Sequence, residues 1–166
     1  MASKIAFTPE EWNRILESVM LSGMAVTAAD PSGLFGVLKE SMATGRTLLE
    51  AKADPTSNEL IRSVVSAFET SEGRQAARHE VQARLKGVAV GDMKEKSIAA
   101  LNEVSQLLDS KAPADATGFK TWLRHIAENA AEAATEGGFM GFGGTRVSEA
   151  EKATLAEVSK ALGIAT

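Results

Sequence analysis

One helix-start signal occurs three times in the sequence, and it restricts the fold more than any other feature. A Ser or Thr precedes a Glu by three residues in Thr8-Pro9-Glu10-Glu11, Thr56-Ser57-Asn58-Glu59 and Ser148-Glu149-Ala150-Glu151. Such a pair can satisfy two main-chain N–H groups at the start of a helix. Each of the three segments therefore predicts a helix N-terminus.

Apolar residues recur at the helical period along nearly the whole chain, and no segment of useful length alternates like a β-strand. This pattern predicts helices over residues 9–29, 31–52, 92–110 and 117–136. It also predicts a helix from 59 that breaks or bends near 71–73 and continues to 86, and a last helix that stops at Gly163. We therefore expect an all-α fold, a single-domain bundle of five to seven helices over residues 1–166, with sequential neighbours packed antiparallel.

Composition agrees with this fold and excludes several functional classes. The chain has 28 alanines, about one residue in six, and alanine is the best helix former. The absence of cysteine excludes disulfide scaffolds, thiol catalysis, Cys-zinc sites and iron–sulfur clusters. A net charge of −4 argues against nucleic-acid binding, which needs excess Lys and Arg.

The chain carries no pattern of a signal peptide, and its most apolar segment, residues 19–29, is too short to span a bilayer. We expect a cytoplasmic protein without a transmembrane segment. No cofactor is predicted from the sequence.

A glycine-rich segment over residues 137–144 holds three large apolar side chains, Phe139, Met140 and Phe142. It lacks the Gly-Lys-Ser/Thr of a phosphate-binding loop and has no strand before it. Two interpretations remain open. The apolar side chains close one end of the bundle, or they are exposed and bind a partner, a ligand or a membrane surface.

Positive charge is concentrated on the fourth helical segment, where Arg74 and Arg78 lie one turn apart and Arg84 and Lys86 follow. A charged helix face is usually a solvated surface. The alternative is a patch that binds an anion or a protein partner, to which we assign Arg74 and Arg78.

His125, Glu128 and Glu132 share one face of a predicted helix and have a spacing that suits a metal ion. The alternative is a solvated polar face opposite Trp122. His125 and Glu128 are also a possible acid/base pair of an enzyme. Met20 and Met24, one turn apart, are either core filler or the lining of a cavity for an apolar ligand.

Two segments resemble the tellurite-resistance TerB-like helical family. They are Ala25-Val26-Thr27-Ala28-Ala29-Asp30 and Arg146-Val147-Ser148-Glu149-Ala150-Glu151, the latter continuing to Gly163. The resemblance implies a helical fold, and Asp30 and Glu151 match acidic residues implicated in cation binding in that family. An uncharacterised bacterial all-α family is the alternative.

The leading functional hypothesis is a non-catalytic interaction or accessory protein of the bacterial cytoplasm with a stress-related role. It would bind a protein partner or a second copy of itself through Phe139, Met140, Phe142, Arg74 and Arg78. A helical bundle that binds a small ligand or a metal is the alternative, and an enzyme is the third class.

Overall fold

The computed structural model describes residues 4–29, 34–135 and 147–165, of which residues 34–43, 134 and 135 are described without their side chains. Within these ranges there are seven α-helices: α1 (Pro9–Thr27), α2 (Leu34–Ala53), α3 (Glu59–Glu69), α4 (Ser71–Leu85), α5 (Met93–Lys111), α6 (Pro113–Thr135) and α7 (Glu149–Leu162). Two short 3₁₀ helices cover Lys4–Ala6 and Val90–Asp92. The same ranges contain no strand. The predicted all-α bundle of five to seven helices is confirmed.

Helix α1 lies at the centre and packs mainly against α4, α5 and α6, so the next helix in sequence is not its main neighbour. It begins with the predicted capping box, in which the Glu11 N–H donates to Thr8 Oγ1 over 3.2 Å and the Thr8 N–H donates to Glu11 Oε2 over 2.8 Å. Ser18 and Ser22 are buried. Their hydroxyls donate to carbonyl oxygens one turn earlier, which satisfies them inside the core.

One carboxylate is buried on α1. The side chain of Glu17 is only 2% exposed and accepts two hydrogen bonds from Arg84, from Nε over 2.7 Å and from Nη2 over 3.1 Å. The bond to Glu17 raises the pKa of Arg84, and Glu103 adds a second carboxylate at 3.3 Å. The charge of Arg84 is therefore neutralised within the fold and does not add to a positive surface with Arg74 and Arg78.

The N-cap of α3 differs from the prediction by two residues. Asn58, not Thr56, is the N-cap, since its Oδ1 accepts the Ile61 N–H over 2.9 Å. The N–H and hydroxyl of Thr56 donate instead to Asp54 Oδ1, over 2.8 and 2.7 Å. Asn caps a helix as well as Thr does. Asp54, two residues before Thr56, favours the local turn in which Thr56 donates to its carboxylate.

The break near residues 71–73 lies at Thr70, which ends α3 and caps α4. The Thr70 hydroxyl accepts the Gly73 N–H over 3.0 Å. A Cβ on Gly73 would lie 2.2 Å from the carbonyl oxygen of Ala67, so the corner requires glycine here.

The last two helices confirm one prediction and correct another. Helix α6 begins at Pro113 rather than at 117, because proline suits the first helical position and Ala112 alone separates it from α5. Helix α7 begins with the predicted capping box of Ser148 and Glu151 and ends at Gly163, whose φ of 67° is left-handed.

Buried apolar side chains from the helices form one main cluster, which includes Ile15, Leu60, Leu101, Phe119 and Leu162. No described helix is long and apolar enough to cross a membrane. A single domain over residues 1–166 stays a prediction.

Candidate functional site

A cavity of about 440 Å³ lies between the end of α2, the α2–α3 turn, α3 and α6. Cavities that hold small ligands span roughly 300–1,000 Å³. Most of its lining residues carry polar side chains; the lining residues are Thr47, Glu50, Ala51, Asp54, Thr56, Ser57, Asn58, Ile61, Gly118, Thr121, Trp122 and His125.

Trp122 is the lining residue with an unmet hydrogen bond. It is 8% exposed, its ring packs against Phe119 at 5.4 Å between centroids, and no described residue accepts a hydrogen bond from its Nε1. A buried donor without a partner costs roughly 1–3 kcal/mol. The sequence predicts that Trp122 faces inward, which is correct, but not that its indole N–H is unsatisfied.

Three hydroxyl groups in the wall already use their hydrogens. Thr56 donates to Asp54 over 2.7 Å, Ser57 donates to the Ala51 carbonyl over 2.8 Å and Thr121 donates to the Thr117 carbonyl over 2.9 Å. Each oxygen keeps its capacity to accept. The three hydroxyls therefore present acceptors, not donors, to a bound molecule.

The carboxylates of Glu50 and Asp54 add further hydrogen-bond acceptors to the lining of the cavity. Glu50 is bonded to Arg46 Nε over 2.9 Å, a pair on the exposed side of α2. The hydroxyl and N–H of Thr56 hold the pKa of Asp54 below its ordinary value of 3.8, with a smaller contribution from Arg62. Asp54 is thus a carboxylate at neutral pH.

His125 lies at the edge of the cavity with its side chain 52% exposed. Its Nε2 is 4.0 Å from Glu50 Oε2, and its Nδ1 is 3.7 Å from Glu128 Oε2. Asn129 lies between His125, at 3.4 Å, and the Thr47 hydroxyl, to which it donates over 2.8 Å.

The predicted metal residues are only partly brought together. His125 and Glu128 are neighbours, and Glu132 is an exposed residue one turn further along α6. Across the described part of the chain, no group of three His, Asp or Glu side chains has the arrangement of a metal site. A metal site at His125, Glu128 and Glu132 stays a prediction.

A close contact between α3 and α6 shapes the floor of the cavity. The Asn58 Nδ2 donates to the Asp115 carbonyl over 3.0 Å, which ties the α3 cap to the first turns of α6. A Cβ on Gly118 would lie 2.8 Å from that Nδ2. Glycine at 118 therefore allows the cap and the cavity to form side by side.

The predicted positive patch on α4 borders an apolar groove of about 210 Å³, which lies along another face of α2. Its walls are Met20, Thr44, Gly45, Leu48, Phe68, Arg74 and Arg78, and a smaller groove beside it adds Leu49, Lys52, Val65 and Glu69. Leu49 is 69% exposed. The two arginines that the sequence singled out are thus brought together beside exposed apolar surface.

Arg74 also has a structural role. Its Nη1 donates to the carbonyl oxygens of Phe68 and Glu69, over 2.7 and 2.9 Å, at the C-terminal end of α3. A cation at a helix C-terminus is favourable because the last carbonyls are otherwise unpaired. Arg74 therefore stabilises the α3–α4 corner.

The remaining predicted residues lie in different places. Phe139, Met140 and Phe142 are outside the described residues, so the binding role assigned to them stays a prediction. Met20 and Met24 are partly buried and pack against the cluster of Leu21, Val81 and Ala100, and Met20 also reaches the groove.

Of the two acids in the family resemblance, Asp30 is outside the described residues. Glu151 is buried, and its Oε2 accepts the Ser148 N–H over 2.7 Å as part of the α7 capping box. No protein-family model matches the chain, and comparisons with curated proteins and with solved structures gave no match. The TerB-like resemblance stays a prediction.

Sequence reasoning missed Glu50 and the turn over residues 54–58 as parts of a site. The turn carries Asp-Pro-Thr-Ser-Asn, which reads only as a helix stop and a helix cap. The one available signal was the excess of polar side chains in this turn, and similar residues serve most loops without binding anything.

Proposed function

We propose that the protein is a non-catalytic binding protein whose polar cavity, between α2, α3 and α6, holds a small polar molecule. The observation that carries the proposal is the buried indole N–H of Trp122, which has no partner among the described residues although Trp122 lines a 440 Å³ cavity. Buried polar groups are nearly always paired, and an unpaired one calls for an explanation. We take a ligand of the cavity that Trp122 lines as that explanation.

Binding accounts for the cavity better than catalysis does. The hydroxyls of Thr56, Ser57 and Thr121 all donate to acceptors near them in sequence, and none donates to His125. An activated nucleophile needs such a bond to a general base. The groups in the wall are arranged to hold a molecule.

Nuclear magnetic resonance of the indole N–H groups tests the proposal. The chain has two tryptophans, so it gives two indole signals, and a Trp122→Phe variant identifies the signal of Trp122. We expect at least one of three short probes, putrescine, butanediol or succinate, to shift the Trp122 signal saturably while the buried Trp12 does not move.

A matched pair of variants shows whether the cavity is responsible. Thr121→Phe fills the cavity, whereas Thr117→Phe places the same ring one turn earlier on α6, outside the lining. The first should abolish the response and the second should keep it. The proposal is wrong if no probe shifts the Trp122 signal, or if both variants respond equally.

Docking of a protein partner, or of a second copy of the chain, is a second candidate. The exposed Leu49 beside the groove of Met20, Leu48 and Phe68 favours it, with Arg78 at the rim. Apolar surface rimmed by charge is typical of interaction sites. A bacterial cytoplasmic setting, a stress-related role and the lack of nucleic-acid binding stay predictions from the sequence.

A further inference from the structure

One face of α2 carries a projecting side chain and a hollow next to each other. Leu49 projects from this face and is 69% exposed, and Gly45 lies one turn earlier on the same helix. A Cβ on Gly45 would have no described atom within 4 Å, so the surface above it is open. Gly45 and Leu48 belong to the linings of both apolar grooves. A large apolar side chain therefore stands beside a space that can receive another.

The spacing of Gly45 and Leu49 makes this face complementary to itself. Homodimers are most often twofold symmetric, so that one surface patch pairs with the same patch on the other copy. If two α2 helices pack antiparallel with the axis midway between residues 45 and 49, each Leu49 enters the hollow above Gly45 of the other copy. Every contact is then made twice, and both exposed leucines are removed from water.

The charges on one flank of this face match in the same arrangement. Arg46 and Glu50 directly follow Gly45 and Leu49, and Arg46 Nε donates to Glu50 Oε1 over 2.9 Å on the exposed side of α2. Antiparallel helices related by a twofold axis present the same flank to each other, so Arg46 of each copy lies opposite Glu50 of the other. Since an exposed pair within one helix contributes little, Arg46 and Glu50 can turn toward the second copy at small cost.

The opposite flank, formed by the grooves, is also complementary. Arg74 and Arg78 border the end near Thr44, where none of the described lining residues is acidic. The other end holds Glu69, which is paired with Lys52. The same twofold axis brings the arginine end of each copy to the Glu69 end of the other, which gives the arginines a carboxylate that their own end of the groove lacks.

From this match we infer that a second copy of the chain covers the groove, in a twofold dimer built on antiparallel α2 helices. The inference rests on the second candidate function, docking on the groove, and names the partner. A foreign protein would have to supply a leucine, a hollow and both signs of charge at the right spacing, whereas a second copy brings all of them on the same face. The inference requires no ligand in the polar cavity.

Filling the hollow tests the contact between Leu49 and Gly45. Sedimentation over a range of concentrations measures the dissociation constant of the dimer, and Gly45→Leu should raise it at least about tenfold. The monomer should stay as stable in urea as the wild type, because the position is open and leucine forms helix better than glycine. Gly91→Leu adds the same side chain at another open position, in the second 3₁₀ helix, and should leave the dissociation constant unchanged.

Two charge reversals test the antiparallel arrangement. Arg46→Glu makes the flank acidic and Glu50→Arg makes it basic, so each variant alone should dimerise at least about tenfold more weakly. An equimolar mixture of the two should dimerise again, because every arginine on this flank then faces a glutamate of the other copy. Lys152→Glu is the control, since it reverses a charge in an exposed ion pair on α7 and should dimerise like the wild type.

The possible outcomes separate this inference from both candidate functions. A wild-type chain that is monomeric at every concentration overturns the inference and leaves a different protein as the occupant of the groove. A dimer that Gly45→Leu and Gly91→Leu weaken equally, or charge variants that do not recover on mixing, place self-association elsewhere and also overturn it. The small-molecule proposal fails by another result, a Trp122 signal that no probe shifts.

Discussion

Helix α2 carries two depressions on different faces, and they differ in what their polar groups are doing. Thr47, Glu50, Ala51 and Asp54 line the polar cavity toward α6. Gly45, Leu48 and Leu49, interleaved with them in sequence, line the apolar groove toward α3 and α4. Arg74 beside the groove is bonded to two carbonyls of α3, whereas Trp122, which lines the cavity, has an indole N–H with no partner among the described residues.

The contrast shows why exposed charge is a poor guide to a binding site. Arg74 stands out in the sequence, yet its contacts are those of a helix terminus. Trp122 looks like an ordinary core residue, yet its indole N–H is one of two buried side-chain nitrogens among the described residues, with Arg124 Nε, that have no hydrogen-bond partner. Whether a polar group is satisfied depends on its neighbours in space, which the residue type does not reveal.

The largest expected effect is a difference in stability between alanine substitutions at two glycines, Gly73 at the α3–α4 corner and Gly118 beside the cavity. Gly73→Ala should lower the free energy of unfolding by about 1–3 kcal/mol, because its Cβ would collide with the main chain of Ala67. Urea unfolding followed by circular dichroism measures the change.

Gly118→Ala on the cavity side is the matched comparison. Its Cβ would meet only the end of the Asn58 side chain, and alanine gains up to about 1 kcal/mol of helix propensity over glycine. The net change should stay below about 1 kcal/mol. If the two substitutions destabilise the protein equally, contact with the main chain of Ala67 does not make Gly73 less tolerant of a Cβ than Gly118.

Alanine substitutions of the two arginines beside the groove should also differ in their effect on stability, by less than the two glycine substitutions do. Arg74→Ala removes two hydrogen bonds at the end of α3 and should cost about 1 kcal/mol of stability. Arg78→Ala changes an exposed groove residue and should stay within about 0.5 kcal/mol. The same unfolding measurement tests both, and a larger loss for Arg78 would refute a structural role specific to Arg74.

The smallest effect on stability is expected at Leu49, where the test concerns association. If a second copy docks on the groove, sedimentation should show a dimer that Leu49→Ser returns to monomer without loss of stability. Val90→Ser is the control, since Val90 is 73% exposed on a different element. A wild-type chain that stays monomeric at every concentration would exclude self-association through this groove.

Helix positions were largely predictable because their signals act over three or four residues. The capping boxes at Thr8 and Ser148 and the stop at Gly163 occur as expected. Asn58 replaced Thr56 as a cap because two good caps stood close together and the Asp54 turn used one of them. Pro113 was predicted to be part of a linker, although proline is also common at the first position of a helix.

The candidate site was predictable only in part. His125 was identified from its spacing to Glu128, and the two side chains do meet. Glu50 is on another helix, 75 positions earlier in the chain, and no local pattern connects it to His125. The central position of α1 was equally hidden, since small residues such as Ser18 and Ser22 permit close packing without naming the partner helix.

The sequence by itself determined that this chain forms helices and where most of them begin and end, because caps, period and glycine stops are satisfied by neighbours along the chain. Only the tertiary structure decided which faces of α2 meet α6 and α3, that Glu17 is buried with Arg84, and that Trp122 lines a cavity while its indole N–H stays without a partner among the described residues. These features depend on the packing of several helices at once, and their energies arise from contacts between residues far apart in sequence.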